Sequence, residues 1–329
     1  MSRALVARAP ARIDFGGGWT DVAEYARNEG GAVCNVAISL HATATVAADG
    51  HVAVRRSGAH GGDDALVKAA LRRSTIPGVE GTVVAGFPIG AGLGGSAAAG
   101  VALAGALSKL AGEEIGCAEL AERSRVTEVE ELGVAGGCQD HYASAFGGAL
   151  LLTISECVGV EQLVMPEPFA ASLARRAILL HSGESRLSST MITAVMDAWR
   201  SGDARVVEAL ARMRSLATEM GAAIRAQDLE ALGALVGEHW RHQRALHPAI
   251  TTLRLDAIMD AAARHGALGA KALGASGGGC VIAIAREGRE SELAGALATL
   301  GERLDWSVDR GGFEVIATMT GELGPDGSA

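Results

Sequence analysis

The sequence predicts a two-lobed α+β protein, and three observations lead to this prediction. The chain has 329 residues, 49% of them hydrophobic and only 20% charged, so it can bury the cores of two lobes. Short apolar runs broken by Gly or Asp occupy the first 54 residues and indicate paired strands. Residues 188–265 instead have the apolar spacing of helices. Strands and helices therefore dominate different parts of the chain.

The first half of the chain contains the predicted strands of a mixed or antiparallel sheet and two helices. The runs ALVAR, AVCNVAI, ATATVAA and HVAVR, between Leu5 and about Val54, are typical of paired strands. GTVVAGFP at Gly81–Pro88 predicts a further strand. A helix is predicted at Ser96–Gly112, with Ser96 near its N-terminus, and a second, acid-rich helix at Ala118–Leu132.

The second half of the chain begins with strands and then becomes helical. GGALLLTI at Gly147–Ile154 and RRAILLHS at Arg175–Ser182 predict strands. The helical stretch follows, and the strands CVIAIA and FEVIAT come after it, with a helix around Ser291–Leu300 between them. The segment MPEPF near Pro166 is the best candidate for a boundary. It divides the chain into predicted lobes of residues 1–165 and 166–329.

The charge balance and the N-terminus exclude several classes of protein. Lys and Arg number 29 against 38 Asp and Glu, a net charge of -9, which argues against a nucleic-acid groove or an anionic membrane surface as the main partner. The opening MSRALVARAP lacks the apolar core of a signal peptide. No stretch reaches the roughly 18 apolar residues of a membrane span. We therefore expect a soluble, cytoplasmic protein.

The cysteines and histidines do not form a predicted metal site. The five cysteines are scattered, odd in number and without metal-ligand spacing, so we expect free, buried thiols in a reducing compartment. They are Cys34, Cys117, Cys138, Cys157 and Cys280. His239 and His242 would share a helix face, but His247 would not, and no fourth ligand is apparent. These histidines are expected to be solvated or to pack in the core.

A glycine-rich segment joins the predicted strand at residues 81–88 to the following helix. Gly90, Gly92 and Gly95 formally satisfy GxGxxG, but no acid-tipped second strand follows, which disfavours a Rossmann site. A Walker loop is excluded because Gly-Lys does not precede Ser96. The triplet Asp14-Phe15-Gly16 spells DFG, yet it lies too near the N-terminus for a protein kinase, and we interpret it as a coincidence.

The chemistry of this glycine loop, residues 88–97, favours an anion. Its amides are unobstructed by Cβ atoms, and a helix N-terminus with the hydroxyl of Ser96 follows. Such a loop suits nucleotide phosphates, with Ser96 near their metal ion. The alternative is a tight strand-to-helix turn that uses its glycines only for packing.

Three segments together resemble the GHMP kinases, the family of galacto-, homoserine, mevalonate and phosphomevalonate kinases. APARIDFGGGWTD at residues 9–21 resembles the family's N-terminal substrate motif, and residues 88–98 resemble its phosphate loop PxGxGLGSSA. KALGASGGGC at residues 271–280 resembles its C-terminal glycine motif. GGAVCNVAI, GGCQDHYASAFGG and SGESRLSS are most similar to the D-glycero-D-manno-heptose 7-phosphate kinases and the L-fucokinase group. The resemblance covers nearly the whole chain.

The resemblance implies a fold and an activity. The fold would be a GHMP kinase fold with a ribosomal S5 domain 2-like N-terminal lobe, an α/β C-terminal lobe and the active site between them. The activity would be ATP- and Mg²⁺-dependent phosphorylation of the anomeric (C1) hydroxyl of D-glycero-D-manno-heptose 7-phosphate or a related higher-sugar phosphate, by a monomer or a homodimer. The alternatives are an L-fucokinase-like or other free-sugar kinase and a non-catalytic nucleotide- or sugar-binding sensor.

The resemblance also assigns catalytic, nucleotide-binding and metal-binding residues. Asp140 would lie beside the acceptor hydroxyl and accept or orient its proton, with Arg12 next to it and near the γ-phosphate. Glu128 would hold Mg²⁺ together with Ser96, and Glu131 is the alternative because it shares a helix face with Glu128. The expected nucleotide-binding residues are Pro88, Gly90, Gly92, Leu93, Gly94, Gly95, Ser96 and Ala97.

The expected substrate-binding residues come from the N-terminal and C-terminal motifs. Asp21 matches an aspartate that binds sugar hydroxyls, and Trp19 would either stack on the sugar or pack in the core. Arg186 is the candidate for binding a distal phosphate. Gly18, Gly277 and Gly278 complete the set, the last two from a loop that would brace the phosphate loop or form a tight bend.

The sequence departs from the family pattern at three places. Gly18-Trp19 stands where galactokinases have Glu-His, so galactose is not the expected substrate. Gly95 stands where a serine is usual, which leaves Ser96 as the single hydroxyl of the loop. His141 follows Asp140 where a glutamine is common, so the sugar contact of that glutamine is not carried over.

Overall fold

A computed structural model describes residues 3–48, 64–184 and 189–320 of the chain. The strands are β1 (Arg3–Gly16), β2 (Gly31–Ala47), β3 (Glu80–Ala85), β4 (Ala149–Ile154), β5 (Val158–Leu163), β6 (Ala177–His181), β7 (Ala267–Ala272), β8 (Cys280–Ala285), β9 (Glu302–Leu304) and β10 (Glu314–Thr320). The α-helices are α1 (Ala23–Glu29), α2 (Asp64–Arg72), α3 (Gly95–Leu110), α4 (Cys117–Arg125), α5 (Gln139–Phe146), α6 (Glu167–Arg176), α7 (Ser189–Arg200), α8 (Ala204–Arg225), α9 (Leu229–Ala245), α10 (Leu253–Arg264) and α11 (Glu290–Leu297).

The first sheet has the strand order β10-β1-β2-β4-β5, and β3 also pairs with β2. Each of these pairings is antiparallel, which confirms the antiparallel alternative of the prediction. The run HVAVR, predicted as a strand, lies outside the described residues. Helix α3 packs on β1 and β2, and its many Ala and Gly residues allow a close approach. A Cβ on Gly105 would lie 2.2 Å from the ring of Phe313.

The second sheet has the order β7-β8-β6-β9 and is also antiparallel in each pairing. Helices α7 to α10 lie in the stretch whose helical spacing was predicted. Strand β8 is buried along its whole length, as expected from the continuous apolar run CVIAIA. This sheet and these helices enclose a second hydrophobic cluster, which includes Trp240, Ile258 and Val281.

Contacts cross the predicted boundary between residues 165 and 166. Strand β10 belongs to the second half of the sequence but pairs with β1 in the first sheet, from Arg3 with Thr320 to Arg8 with Glu314. Helix α8 packs on β2, and Met220 reaches Gly16 at the end of β1. The division into two lobes between residues 165 and 166 remains a prediction. Strand β10 comes from the second half of the sequence but is part of the first sheet.

Two predicted elements differ from the structure in their details. The acid-rich helix predicted at 118–132 is an α-helix only to Arg125, and a π-helical turn follows over Val126–Glu131. The strand predicted at Arg175–Ser182 begins two residues later, because Arg175 and Arg176 form the last turn of α6. Basic residues in a last helical turn interact favourably with the helix dipole, which competes with the strand tendency of the run.

In the described part of the chain, no helix is both long enough and apolar enough to cross a membrane.

Candidate active site

One cavity of about 520 Å³ contains most of the residues that the sequence analysis selected. Its walls come from the end of β1, the glycine loop, the π-helical turn, the start of α5 and Gly274 and Ala275. All eight expected nucleotide-binding residues, from Pro88 to Ala97, line it. Six further candidates line the same cavity: Arg12, Gly18, Trp19, Asp21, Glu128 and Asp140.

The glycine loop has a backbone that side chains would not permit. Gly90, Gly92 and Gly94 all have φ between 72° and 74°, the left-handed region that favours glycine. A Cβ on Gly92 would lie 2.6 Å from the carbonyl oxygen of Leu273, and one on Gly94 would lie 3.1 Å from the Asp140 carboxylate. Close packing on both sides and a helix N-terminus behind it fit the loop for holding phosphate.

Arg12 joins the glycine loop to Asp140. Its Nε donates a hydrogen bond to Asp140 Oδ1 over 2.7 Å, and its Nη1 donates to the carbonyl oxygen of Gly92. Its backbone N–H also donates to the carbonyl oxygen of Leu93 over 2.9 Å. The Arg12 side chain is 3% exposed, whereas that of Asp140 is 29% exposed and faces the cavity. Burial lowers the pKa of Arg12, but the nearby carboxylates of Asp140 and Asp14 raise it by more. The pKa therefore lies above its usual value, and the guanidinium stays charged.

Asp21 is a buried carboxyl at the wall of the cavity. Its Oδ2 accepts a hydrogen bond from the backbone N–H of Gln139 over 3.0 Å. A Cβ on Gly137 would lie 1.9 Å from the same oxygen, so only glycine fits there. Burial raises the pKa of Asp21 to about 7, the Gln139 hydrogen bond opposes this, and Asp140 adds to it. Asp21 therefore changes charge near neutral pH.

We expect Asp21 to make the folded protein less stable as the pH rises from 5 to 8. The pKa of an aspartate in the unfolded chain is near 3.9, whereas that of Asp21 in the folded protein is about 7. Between these two pKa values the folded chain retains a proton that the unfolded chain has lost. Wild type should lose about 2–3 kcal/mol more of its free energy of unfolding than Asp21→Asn does between pH 5 and pH 8. Urea unfolding at both pH values measures the difference. Parallel pH profiles would exclude a raised pKa at Asp21.

Sequence analysis missed the buried ion pair of Asp14 and Lys271. Lys271 Nζ lies 3.0 Å from Asp14 Oδ2 and 2.8 Å from the Asp14 carbonyl oxygen, and its side chain is fully buried. Burial lowers the pKa of Lys271 below its usual value, and the ion pair with Asp14 offsets part of this decrease. Asp14 also lines the cavity. The triplet Asp14-Phe15-Gly16 thus contributes a buried ion pair to the wall of the site. A single lysine inside the apolar run LGAKALGA was the available signal.

The π-helical turn selects Glu128 among the three neighbouring glutamates. Glu128 lines the cavity with a side chain that is 13% exposed. Glu131 accepts hydrogen bonds from Arg72, and Glu130 from Arg125, both at the surface. The expectation that Glu131 shares a face with Glu128 is therefore wrong, because a π-helical turn is wider than an α-helical turn.

Ser96 and Glu128 are suited to hold magnesium only together with a ligand. Both residues line the cavity, and both offer the oxygen atoms that Mg²⁺ prefers. The described residues contain no group of three or more His, Cys, Asp or Glu side chains placed to bind a metal ion. A magnesium ion bound by one carboxylate, one hydroxyl and substrate phosphates fits this donor set, and an all-protein site does not.

Gly18 and Trp19 form the wall between Asp14 and the second hydrophobic cluster. A Cβ on Gly18 would lie 2.5 Å from Asp14 Oδ2, which explains why this chain has no larger residue there. Trp19 lines the cavity, but its side chain belongs to the second hydrophobic cluster and is only 6% exposed. The structure thus places Trp19 mainly in the core, the second of its two predicted roles.

The C-terminal glycine motif contacts the glycine loop, but not through the residues expected to bind substrate. The backbone N–H of Cys280 donates to the carbonyl oxygen of Ala91 over 2.7 Å, as expected for a bracing loop. Gly277 instead donates to the Ile250 carbonyl oxygen, and Gly278 packs against Glu184. Gly277 and Gly278 do not line the cavity, and Gly274 and Ala275 take that place. Arg186 lies outside the described residues.

The histidines and cysteines mostly follow their predictions. His239 is buried and accepts a hydrogen bond from the backbone N–H of Gly17 over 2.9 Å, as a core histidine does. All five cysteines are free. The expectation that they are buried is wrong for two of them. Cys117 is exposed at the start of α4, and Cys157 is exposed between β4 and β5.

The arrangement can transfer a phosphoryl group to an alcohol. A loop of amides at a helix N-terminus can hold phosphates, and the adjacent Asp140 can accept a proton from a hydroxyl group. Arg12 contacts both the loop and Asp140, so it fixes their separation and neutralises charge between them. Asp21 and Gln139 line the same cavity and offer polar groups there.

Comparison with known families supports this interpretation over about half of the chain. The model of the GHMP kinases N terminal domain matches residues 64–148, and the GHMP kinases C terminal model matches residues 220–303. The first match contains the glycine loop, Glu128 and Asp140, and the second contains Lys271. Together the two models match about half of the chain.

Two curated proteins are similar over more than four fifths of this chain. An L-fucokinase/L-fucose-1-P guanylyltransferase of Bacteroides fragilis is 26% identical over 327 residues, which cover 85% of this chain and 34% of that protein. A D-glycero-alpha-D-manno-heptose 7-phosphate kinase of Campylobacter jejuni is 26% identical over 295 residues, covering 83% of this chain and 86% of that protein. The chain spans about a third of the length of the first relative and most of the second.

A solved structure has the same fold along nearly its whole length. The crystal structure of a D-glycero-D-manno-heptose 1-phosphate kinase from Bacteroides thetaiotaomicron aligns with a TM-score of 0.74 at 21% identity. The alignment covers 97% of this chain and 99% of that one. The fold that the sequence motifs predicted is therefore confirmed.

Proposed function

Because the chain belongs to the GHMP kinase family, we propose that it transfers the γ-phosphoryl group of ATP to the anomeric (C1) hydroxyl of a sugar. The observation that carries this proposal is the contact of Arg12 with both Asp140 and the glycine loop inside one cavity. The acceptor that we propose is D-glycero-D-manno-heptose 7-phosphate or a related higher-sugar phosphate. The similarity to the Campylobacter jejuni heptose 7-phosphate kinase supports this choice.

Each protein group has a defined role in this reaction. The glycine-loop amides and the N-terminus of α3 bind the nucleotide phosphates. Asp140 orients the C1 hydroxyl and accepts its proton as the new O–P bond forms and the bond to the leaving ADP breaks. Arg12 neutralises the developing charge and holds Asp140 in place through the hydrogen bond from its Nε to Asp140 Oδ1. Magnesium, held by Ser96, Glu128 and the phosphates, would supply further charge neutralisation.

Asp21 and its neighbours would bind the remaining hydroxyls of the sugar. An ionised Asp21 can accept hydrogen bonds from a vicinal diol, and its raised pKa makes this grip stronger above pH 7. Gly18 allows the side chains of Asp14 and Gln139 to lie against its backbone, since a Cβ there would be 2.5 Å from Asp14 Oδ2 and 2.9 Å from Gln139 Nε2. The Asp21 side chain is buried, and the backbone N–H of Gln139 holds its Oδ2. This part of the site is therefore organised before the sugar binds.

The charge of the cavity favours a second candidate acceptor, a free sugar such as L-fucose. Among the described residues that line the cavity, Arg12 is the only lysine or arginine, and Asp140 and Gly92 already engage it. The acidic residues there are Asp14, Asp21, Glu128 and Asp140. We propose that Arg186, which lies outside the described residues, is the partner of a distal phosphate. A non-catalytic sensor is the third candidate, and the complete set of catalytic groups argues against it.

A panel of acceptors tests the proposal. We would measure ADP release with Mg²⁺ and ATP on the heptose 7-phosphate, L-fucose, D-mannose and D-galactose, and identify the phosphorylated carbon by ³¹P NMR. Wild type should phosphorylate the heptose 7-phosphate at C1, and Arg186→Ala should lose this activity while any turnover of free sugar remains. Turnover of L-fucose alone would favour the second candidate. No ADP release on any sugar would contradict the kinase proposal for this panel and favour the sensor.

A further inference from the structure

We propose that Gln243 of α9 is a positioning residue for the glycine loop. It acts through the turn between β7 and β8, residues 273–279, which we call the bracing turn. The inference rests on the proposed function, because it takes the glycine loop as the site of the nucleotide phosphates. The sequence motifs assign no role in this site to Gln243.

The bracing turn lies directly against the backbone of the glycine loop. A Cβ on Gly92 would lie 2.6 Å from the carbonyl oxygen of Leu273, and one on Gly274 would lie 3.1 Å from Gly92 Cα. Because neither glycine carries a side chain, the two backbones touch. A shift of the bracing turn therefore changes the space available to Gly92.

The side chain of Gln243 holds the part of the bracing turn that touches Gly92. Its Nε2 donates a hydrogen bond to Ser276 Oγ over 2.7 Å and another to the carbonyl oxygen of Gly274 over 3.1 Å. A carbonyl oxygen can only accept a hydrogen bond, so the amide nitrogen of Gln243, and not its oxygen, faces the turn. Gln243 is 1% exposed, so water does not compete for these contacts.

The backbone of the bracing turn is strained where Gln243 binds it. Ser276 has a φ of 66°, in the left-handed region that residues with a side chain rarely adopt. Gly274 and Gly277, with φ of 63° and 77°, are also left-handed. Such a conformation persists only where the surrounding structure fixes it. The hydrogen bonds from Gln243 to Gly274 and Ser276 lie within this stretch and help to fix it.

The backbone hydrogen bonds of the bracing turn hold its ends. The N–H of Leu273 donates to the Cys280 carbonyl oxygen, and the N–H of Gly279 donates to the Glu184 carbonyl oxygen. Gly277 is held by Ile250, as described above. Gln243 instead bonds to residues between these points, so its side chain controls the middle of the turn.

Gly92 connects the bracing turn to the reacting groups. Its carbonyl oxygen accepts a hydrogen bond from Arg12, which also donates to Asp140. With Arg12 on one side and the bracing turn on the other, the glycine loop is organised before the nucleotide binds. Without Gln243, the nucleotide would have to order the loop itself, and that cost lowers its affinity.

Nucleotide affinity tests the inference without needing the sugar. We would measure the binding of ADP with Mg²⁺ by calorimetry in wild type and in Gln243→Met, which keeps the length of the side chain and removes its donors. Gln243→Met should weaken this binding about 10-fold, because the loop is no longer organised in advance. Gln162→Met, on the exposed side of β5, is the matched control and should bind ADP as wild type does.

Steady-state kinetics separates an effect on the glycine loop from a general loosening of the site. With the best acceptor of the panel, Gln243→Met should raise the KM for ATP and leave the KM for the acceptor unchanged. A loosened fold would raise both. Leu210→Ala removes buried apolar atoms of α8 that do not line the cavity, so it lowers stability but should leave ADP binding unchanged.

A double-variant cycle checks that Gln243 acts through the bracing turn. Ser276→Ala removes one of the two acceptors and should weaken ADP binding by a smaller factor, but it should cause no further loss in a Gln243→Met background. Equal losses from Ser276→Ala in both backgrounds, or unchanged ADP binding in Gln243→Met, would overturn the inference. Ser276→Ala alone keeps the test open if Gln243→Met does not fold. Failure of the wild type to bind ADP with Mg²⁺ would instead overturn the proposed function.

Discussion

Asp140→Asn should lower kcat by about 10²- to 10⁴-fold, the usual contribution of a positioned general base. Asparagine has the same shape and keeps an oxygen that can accept the hydrogen bond from Arg12 Nε, so the local structure should be retained. It cannot accept the proton of the sugar hydroxyl. The loss should therefore appear in kcat, with little change in the affinity for ATP. Steady-state kinetics with the best acceptor of the panel measures this split.

A matched aspartate controls for the substitution itself. Asp197 lies on the exposed surface of α7, where it pairs with Arg200, and Asp197→Asn should leave kcat unchanged. If Asp140→Asn retained the kcat of the wild type, Asp140 would not be the base. The reaction would then depend on Arg12 and the glycine loop for charge neutralisation alone.

Lys271→Met should lower the free energy of unfolding by about 3–5 kcal/mol, because it leaves the carboxylate of Asp14 buried without its partner. Both side chains of the pair are at most 3% exposed, so water cannot replace the lost contact. The double variant Asp14→Asn/Lys271→Met removes both charges and should recover a large part of the loss. Urea unfolding of the three proteins measures the effect.

An exposed lysine provides the comparison for this second prediction. Lys109 pairs with Glu114 at the surface, with side chains that are 37% and 94% exposed, and Lys109→Met should change stability by less than about 1 kcal/mol. A Lys271→Met variant that unfolds as Lys109→Met does would contradict a charged, paired Lys271. It would also remove the reason to regard Asp14 and Lys271 as an ion pair that stabilises the wall of the cavity.

Local patterns in the sequence were sufficient for several of the elements and for the glycine loop, but not for α1, α2, α5 or β5. The short apolar runs of β1 and β2 and the alanine-rich run of α3 are local patterns, so these elements could be predicted without the structure. The glycine loop could also be predicted. The left-handed backbone at Gly90, Gly92 and Gly94 favours glycine, so the loop is visible in the sequence as a cluster of glycines. Residues in the same motif, such as Arg12 and Asp21, followed from the resemblance.

Long-range contacts and changes of helix type could not be predicted. Nothing near Glu128 indicates a π-helical turn, so the choice between Glu128 and Glu131 depended on a helix geometry that the chain does not adopt. The pair of Asp14 and Lys271 joins residues 257 positions apart, and the return of β10 to β1 spans a still longer separation. Such contacts depend on the packing of the whole fold, which short periodic patterns do not encode.

The pairing of β10 with β1 has a consequence for biosynthesis. Strand β1 is made about 300 residues before its outer neighbour β10, an interval on the order of 15 to 60 s at ordinary elongation rates. During that interval the nascent polypeptide presents a long strand with unpaired N–H and C=O groups, the kind of edge that recruits other strands. A stop codon before Glu314 would make this transient exposure permanent. Co-translational protection by a chaperone should therefore matter more for this protein than its well-packed final core suggests.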